Sequence, residues 1–142
     1  MGNKISKFNT IENVKFFDLP FYKAENGVLI VIEENIDIPI DIKRVFTVIA
    51  KEKAIRGQHA HKNCSQFLTC PRGYIEVECD DGINKIKFKL NNPNFGILIP
   101  PGIWGTQIYK ESDSILNVIC DLGYDSDDYI RDYEIFKIYK NK

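Results

Sequence analysis

The sequence is poor in histidine, in excess charge of either sign and in long apolar runs. Its 142 residues contain two histidines, and 19 basic residues against 20 acidic ones leave a formal net charge of −1. Without a net field, we expect no binding to nucleic acid or to an anionic membrane, so an anionic ligand must be held by local arginines and lysines. No run reaches the roughly 18 apolar residues of a membrane span, which predicts no membrane segment.

The N-terminal segment and the cysteines both favour the cytoplasm. Residues 1–17 lack the long apolar region of a secretory signal. The four cysteines show no CxxC spacing, and three lie in apolar segments, which favours buried free thiols over disulfides. Because 44% of the residues are hydrophobic, the chain has enough apolar surface for one core, and we expect a single domain over residues 1–142.

Short apolar or alternating runs recur along the chain, whereas helical periodicity is nearly absent. Such runs are typical of strands. They cover 28–34, 43–50, 65–70, 74–80, 84–90, 95–100 and 115–121. A sandwich or closed barrel is therefore predicted, since these architectures protect strand edges. Residues 126–140 begin with capping-type residues and place Ile130, Tyr133 and Phe136 at three-residue spacing, which predicts a short C-terminal helix.

Both histidines lie in the stretch RGQHAHK, residues 56–62. In an extended strand, His59 and His61 point to one face and Ala60 to the other. We expect the pair at the start of a central strand, where inward imidazoles indicate a ligand cavity at the barrel mouth, because buried polar groups need partners or water. Three interpretations stay open: a metal site, a proton-transfer site, or an ordinary packed pair.

The metal interpretation is tested by comparison with the cupins, jelly-roll barrels whose metal-binding members carry two ligand motifs. The first motif continues HxH with a glutamate, and here Gln66 stands in that place. The second motif places a histidine after P-x-G, and here Pro100-Pro101-Gly102 leads to Gly105 in the place of that histidine. A catalytic metal needs about three protein ligands, and this chain has no third histidine. We therefore predict no metal and no other cofactor, which leaves proton transfer as the functional hypothesis.

The stretch from 43 to 82, which contains RGQHAHK and a downstream DDG, resembles the nucleotide-sugar 3,4-ketoisomerases of the cupin superfamily. The resemblance extends to GVLIVIEENIDIPIDIKRV at 27–45, PPGIWG at 100–105 and the C-terminal 124–140, so it covers nearly the whole chain. It implies a cupin-type jelly-roll β-barrel that acts on dTDP-4-keto-6-deoxyglucose. A base would remove the C3 proton to give a C3–C4 enediol, and reprotonation at C4 would move the ketone to C3 without a metal or redox cofactor.

The resemblance also implies roles for individual residues. His59 is expected to be the base, and His61 a second acid/base or a ligand of the sugar oxygens. Arg56 would keep the histidine neutral, bind the pyrophosphate, or both. Arg44 is a second pyrophosphate candidate, with a surface salt bridge as its alternative.

Two further substrate-binding candidates have structural alternatives. Gln66 is expected to face inward and to hydrogen-bond the sugar, although it could equally be a polar residue at the barrel mouth. Trp104 would either stack on the substrate or fill the end of the barrel.

The chain departs from the family at positions that line the site there. Asn26 and Gly105 replace, respectively, an Arg or Tyr and a His or Arg, and Phe46 and Thr47 follow Arg44-Val45 where relatives often carry tyrosine. These positions bear on which face of C4 receives the proton. The sequence therefore leaves both the galacto and the gluco product open.

Two other functions remain as alternatives. A catalytically silent cupin would bind a nucleotide sugar without converting it, and a 3,5-epimerase would exchange protons at C3 and C5. The resemblance further implies a homodimer with exchanged strands, for which VLIVIEE at 28–34, apolar on both faces, is suited. It also implies supply of a 3-keto sugar for a 3-amino-3,6-dideoxyhexose of a surface polysaccharide.

Overall fold

The structure, a computed structural model, describes residues 11–142, so part of the N-terminal segment considered above lies outside it. The first half contains β1 (Lys15–Asp18), β2 (Phe21–Ala24), β3 (Gly27–Ile30), β4 (Arg44–Ala50), β5 (Ile55–His61) and β6 (Gln66–Arg72). The second half contains β7 (Ile75–Asp80), β8 (Lys85–Leu90), β9 (Phe95–Ile99), β10 (Trp104–Tyr109), β11 (Ser114–Cys120) and β12 (Tyr129–Ile130). A 3-10 turn (Ser126–Asp128) precedes β12, and α1 (Tyr133–Lys140) follows it.

Two antiparallel five-stranded sheets face each other. The first has the strand order β1-β9-β6-β11-β4, and the second has the order β12-β5-β10-β7-β8. Apolar side chains from both sheets form one buried core, which includes Leu68 and Val118 from the first sheet and Val77 and Phe88 from the second. The predicted all-β jelly-roll barrel with a short C-terminal helix is confirmed.

Local sequence explains most of the strands. In β8, three lysines alternate with Ile86, Phe88 and Leu90, and the lysines are exposed while the apolar residues are buried. The turn before it is closed by Asp81, whose carboxylate accepts from the backbone N–H groups of Ile83 and Asn84. This alternation places one face of the strand in water and the other in the core.

The strand expected at 28–34 is shorter than predicted. It is β3, which ends at Ile30 and pairs with β2 in a two-stranded hairpin separate from the two large sheets. The chain from 31 to 43 then runs over the outer face of the first sheet, where Ile38 and Ile40 pack against Phe67 and Ile119. Apolar residues on both faces of 28–34 therefore do not reflect a strand in the barrel core.

The helix expected over 126–140 begins only at Tyr133. Asp132 caps it, because its side chain accepts from the backbone N–H of Ile135. Residues 129–130 instead form β12, which pairs with the end of β5. The prediction was wrong for this first part because residues 129–130 find backbone hydrogen-bond partners on the edge of β5. Local propensity does not show such partners. Across residues 11–142, none of the helices has the length and apolar character that would let it cross a membrane.

Candidate active site

His59 and His61 occupy the end of β5, not the start of a strand as expected. Their rings share one face, with centroids 5.1 Å apart, and both line a small cavity between the sheets. Ala60 points the other way and is buried with Ile130 and Phe136 under α1. The predicted alternation is therefore correct for the pair itself.

A β-bulge precedes the pair. Gly105 on β10 pairs with His59, but the next residue, Thr106, pairs with Gly57, so Gln58 has no partner in the register. Gly57 and Gln58 both have positive φ, at 78° and 59°, which allows the extra residue to be accommodated.

The bulge changes the face of the strand on which Arg56 lies. Arg56 pairs directly with Gln107, and directly paired residues share a face of the sheet. Gln107 lines the histidine cavity, so Arg56, near the start of β5, belongs to the same face of the sheet as the histidines. Strict alternation from His59 would have turned Arg56 away from them.

His61 forms a buried pair with Asp128. Its Nδ1 lies 2.9 Å from Asp128 Oδ2, and both side chains are less than 10% exposed. A carboxylate only accepts hydrogen bonds, so Nδ1 donates and Nε2 carries the lone pair. The backbone N–H groups of Asn63 and Cys64 also donate to Asp128, at 2.7 Å and 3.3 Å, and hold the carboxylate in place. Burial lowers the pKa of His61, while the hydrogen bond to Asp128 acts in the opposite direction.

His59 is held in the neutral form more strongly. Burial, the neighbouring His61 ring and the charge of Arg131 lower its pKa from 6.5 to about 4. The sequence interpretation gave the role of keeping the histidine neutral to Arg56; the structure assigns the charge contribution to Arg131. His59 Nδ1 and His61 Nε2 are buried and have no hydrogen-bond partner among residues 11–142. The site thus presents two neutral imidazoles with free ring nitrogens.

Tyr129 on β12 packs against both histidines. Its ring centroid lies 5.0 Å from that of His59 and 4.3 Å from that of His61. Arg44 Nη1 donates to the Tyr129 hydroxyl at 3.3 Å, and the Arg131 guanidinium lies 4.2 Å from the Tyr129 ring centroid. Two guanidinium groups therefore flank the histidines and favour a bound anion.

The cavity at the histidines is small. Its room for the centre of a water molecule is about 10 Å³, enough for one water. Gln66 is buried there as expected, and its Nε2 donates to Cys120 Sγ at 3.4 Å. This cavity is therefore too small to enclose a sugar. Among residues 11–142, one group of side chains could hold a metal, namely His61, Cys64 and Asp128, and of these His61 alone belongs to the cupin ligand motif.

Three predicted substrate residues are not brought to the histidines. Trp104 packs on α1, with its ring centroid 5.2 Å from that of Tyr133, because it alternates with Gly105, which lines the cavity. Asn26 lies in the exposed turn between β2 and β3. Thr47 is exposed on β4, where its hydroxyl donates to Asn117 Oδ1 at 2.7 Å. Within one chain, the packing alternative for Trp104 matches its position.

Sequence reasoning missed Asp128, Tyr129 and Arg131 as site residues. All three lie in the segment DDYIRDY, 127–133, which was noted only as part of the resemblance and of a helix. A signal was present, since an aspartate and an arginine flank a tyrosine and an isoleucine in a segment too polar for the core. Asp128 contacts His61 of β5, which lies 67 residues earlier in the sequence, so the local sequence pattern did not reveal this contact.

Comparison with known proteins gives consistent likenesses. The family described as "FdtA: WxcM-like, C-terminal" matches residues 12–141. The TDP-4-oxo-6-deoxy-alpha-D-glucose-3,4-oxoisomerase of Aneurinibacillus thermoaerophilus is 40% identical over 140 residues, which are 98% of this chain and 93% of that protein.

Solved structures agree. A mutant of the 3,4-ketoisomerase QdtA from Thermoanaerobacterium thermosaccharolyticum, in complex with TDP-4-keto-6-deoxyglucose, superposes with a TM-score of 0.89 at 29% identity and covers 93% of this chain and 96% of its own. The WlaRB TDP-quinovose 3,4-ketoisomerase from Campylobacter jejuni gives 0.85 at 33% identity, with 90% and 99% covered.

Proposed function

The chain belongs to the FdtA family and is a sugar 3,4-ketoisomerase, and we propose that it converts TDP-4-keto-6-deoxyglucose into its 3-keto isomer by proton transfer through the histidine pair. The observation that carries this mechanism is the buried His61–Asp128 pair beside a second neutral imidazole. The C4 ketone acidifies the hydrogen on C3, so a neutral imidazole can take that proton and leave an enediolate across C3 and C4. Return of a proton to C4 moves the ketone to C3.

The geometry favours His61 as the base, in place of His59, to which the resemblance gave that role. Asp128 accepts from His61 Nδ1, which leaves the lone pair on Nε2 and stabilises the imidazolium formed by abstraction. His59 has no carboxylate contact among the described residues, and a pKa of about 4 makes it a weak base. We assign His59 to hydrogen bonding with a sugar oxygen and to proton return.

The charged groups around Tyr129 would stabilise the enediolate and hold the diphosphate. Arg44 donates to the Tyr129 hydroxyl, and Arg131 lies over the Tyr129 ring. Arg56 lies on the histidine face of β5, where it pairs with Gln107. A guanidinium offers paired donors to phosphate oxygens, so Arg44 and Arg56 remain our proposed diphosphate ligands. We propose that Gln66 contacts the sugar, after exchanging its weak bond to Cys120 for one to a hydroxyl.

Proton NMR of TDP-4-keto-6-deoxyglucose with the enzyme in deuterated buffer tests the proposal. We expect a 3-keto product with deuterium at C4, and loss of conversion in His61→Asn. Lys62→Ala is the matched control, since Lys62 is the exposed neighbour of His61. Unchanged substrate with the native enzyme would favour the silent binding protein, and deuterium at C5 would favour the 3,5-epimerase. The ring couplings of the product assign the C4 configuration.

We propose further that two copies form a dimer through the β2–β3 hairpin. Phe21, Tyr22, Val28 and Leu29 are between 48% and 62% exposed, an apolar patch that a second copy would cover. An exchanged hairpin would also carry Asn26 to the partner's barrel. Sedimentation should show a dimer that Leu29→Lys dissociates; a monomeric native protein would contradict this.

The wider setting is also a proposal. A 3-keto sugar nucleotide is the substrate an aminotransferase needs to make a 3-amino-3,6-dideoxyhexose, which a surface polysaccharide would contain. We propose that the enzyme acts in the cytoplasm as a single domain over residues 1–142. Coupled incubation with a pyridoxal-phosphate aminotransferase should yield a TDP-3-amino sugar, and a product aminated at C4 would contradict the assignment.

A further inference from the structure

The isomerisation moves two protons, and the proposed function accounts for only one of them. The imidazoles carry the hydrogen that leaves C3 and the hydrogen that arrives at C4. A second proton must leave the hydroxyl on O3, which becomes the ketone, and must arrive at O4, which was the ketone. A group that donates one proton and accepts another can make this transfer, and a tyrosine hydroxyl has both capacities.

Tyr129 is the hydroxyl-bearing residue that packs on the histidines. It pairs directly with His61 across β12 and β5, and directly paired residues share a face of the sheet. Among residues 11–142, it is the one tyrosine whose ring contacts His59 and His61, at centroid distances of 5.0 Å and 4.3 Å. The hydroxyl is bonded to that ring, so it stays close to both imidazoles. Tyr129 is also partly exposed, so a ligand can reach it.

The hydrogen bonding of Tyr129 leaves its own proton available. Arg44 Nη1 donates to the hydroxyl oxygen at 3.3 Å, and a guanidinium never accepts a proton in return. The structure gives the Tyr129 hydroxyl proton no acceptor among residues 11–142. Two neighbours of Arg44 on β4 cannot take its place. Phe46, over which the Arg44 guanidinium lies at 4.7 Å, has no hydroxyl, and the Thr47 hydroxyl is bound to Asn117.

We propose that Tyr129 is a catalytic residue that passes the hydroxyl proton from O3 to O4, a role that rests on the proposed function. As His61 removes the C3 hydrogen, the Tyr129 O–H bond breaks and its proton goes to O4, which gives a neutral enediol. The tyrosinate then takes the proton of O3 while C4 is protonated, so C3 becomes the ketone and Tyr129 regains its proton. The charges of Arg44 and Arg131 beside Tyr129 stabilise its negative oxygen between the two steps.

Isotope exchange in deuterated buffer separates this transfer from the carbon chemistry. Tyr129→Phe keeps the ring and loses only the hydroxyl, so His61 can still remove the C3 hydrogen and return deuterium to C3. Formation of the 3-keto product should fall by about 10²- to 10⁴-fold, the usual contribution of a positioned acid or base. Exchange at C3, followed by proton NMR of the recovered substrate, should fall less, so the ratio of exchange to isomerisation rises. His61→Asn should lose both.

Tyr124→Phe is the matched control. Tyr124 is 61% exposed, its ring centroid lies 5.8 Å from that of Tyr129, and the Arg44 guanidinium lies over it at 5.1 Å. Loss of its hydroxyl should change neither rate. An unchanged ratio of exchange to isomerisation in Tyr129→Phe would overturn the proposal, whether both rates stay native or fall alike, because a purely structural tyrosine affects the two rates together.

A fluorinated tyrosine at position 129 decides the question if denaturant titration shows that Tyr129→Phe is unfolded. It keeps the hydroxyl, but fluorine makes a phenol more acidic, so the alkaline limit of isomerisation should move to lower pH. A limit at the native pH would overturn the proposal. A native enzyme that neither exchanges C3 nor isomerises would refute the proposed function and the relay with it, whereas an active native enzyme with an unchanged ratio in Tyr129→Phe refutes the relay alone.

Discussion

Asp128→Asn separates a catalytic from a structural role of the His61–Asp128 pair. The native carboxylate accepts from His61 Nδ1 and from the backbone N–H groups of Asn63 and Cys64. The asparagine amide keeps one acceptor oxygen, but its NH₂ group replaces the other oxygen and can only donate. It therefore faces groups that donate to the native carboxylate. His61 then satisfies the amide best with its lone pair on Nδ1 and its proton on Nε2, which is the wrong tautomer for a base.

The expected magnitude follows from general-base catalysis. A positioned base contributes about 10²- to 10⁴-fold, so kcat should fall by that factor, equivalent to about 2.7–5.4 kcal/mol of barrier. Loss of hydrogen bonds to a buried charge should lower the free energy of unfolding by about 2–3 kcal/mol. Substrate conversion is followed by NMR and stability by denaturant unfolding.

The pH profile distinguishes the two roles. Activity requires neutral His61, so the acid limb of kcat/KM lies at its pKa, which burial places below 6.5 in the native enzyme. The carboxylate raises this pKa, so its removal should move the limb to still lower pH. Asp127→Asn, at an exposed neighbour, should change neither rate nor profile. An Asp128→Asn enzyme within about threefold of native kcat, with an unmoved limb, would refute our assignment of the base.

Three further predictions concern stability and local geometry. The pKa of His59 is about 4 in the folded protein against 6.5 for the free side chain, so protonation in acid favours the unfolded chain. The free energy of unfolding should therefore decrease between pH 6.5 and pH 4, by up to about 3 kcal/mol from this group. Denaturant titrations at the two pH values should show a smaller decrease for His59→Asn. Gly57→Ala places a Cβ 2.7 Å from the Gln107 amide at φ +78°, and should destabilise by about 1–3 kcal/mol and raise KM, whereas unchanged unfolding would show that the bulge tolerates a side chain. Phe136→Ala should lower the free energy of unfolding by about 3–5 kcal/mol and reduce kcat by loosening β12; reduced kcat at native stability would argue against this coupling.

The sequence by itself determined the features that depend on neighbours along the chain. Alternating runs specified most strands, because a strand with one face in the core and one in water needs a period of two. The same period placed His59 and His61 on one face, and the family motif carried the reaction class. The inward position of Gln66 followed in the same way.

Tertiary structure decided which distant groups meet the histidines. Three of these groups, Asp128, Tyr129 and Arg131, reach the histidines because β12 pairs with the edge of β5. The local sequence has helical periodicity, so it does not show that residues 129–130 gain free energy by pairing as a strand. The bulge at Gln58 brought Arg56 to the histidine face, since one extra residue reverses the facing of the side chains before it relative to those after it. A one-residue offset likewise turned Trp104 toward α1. Such offsets depend on strand pairing across the sheet, and pairing partners are chosen by contacts that a single strand's sequence does not contain.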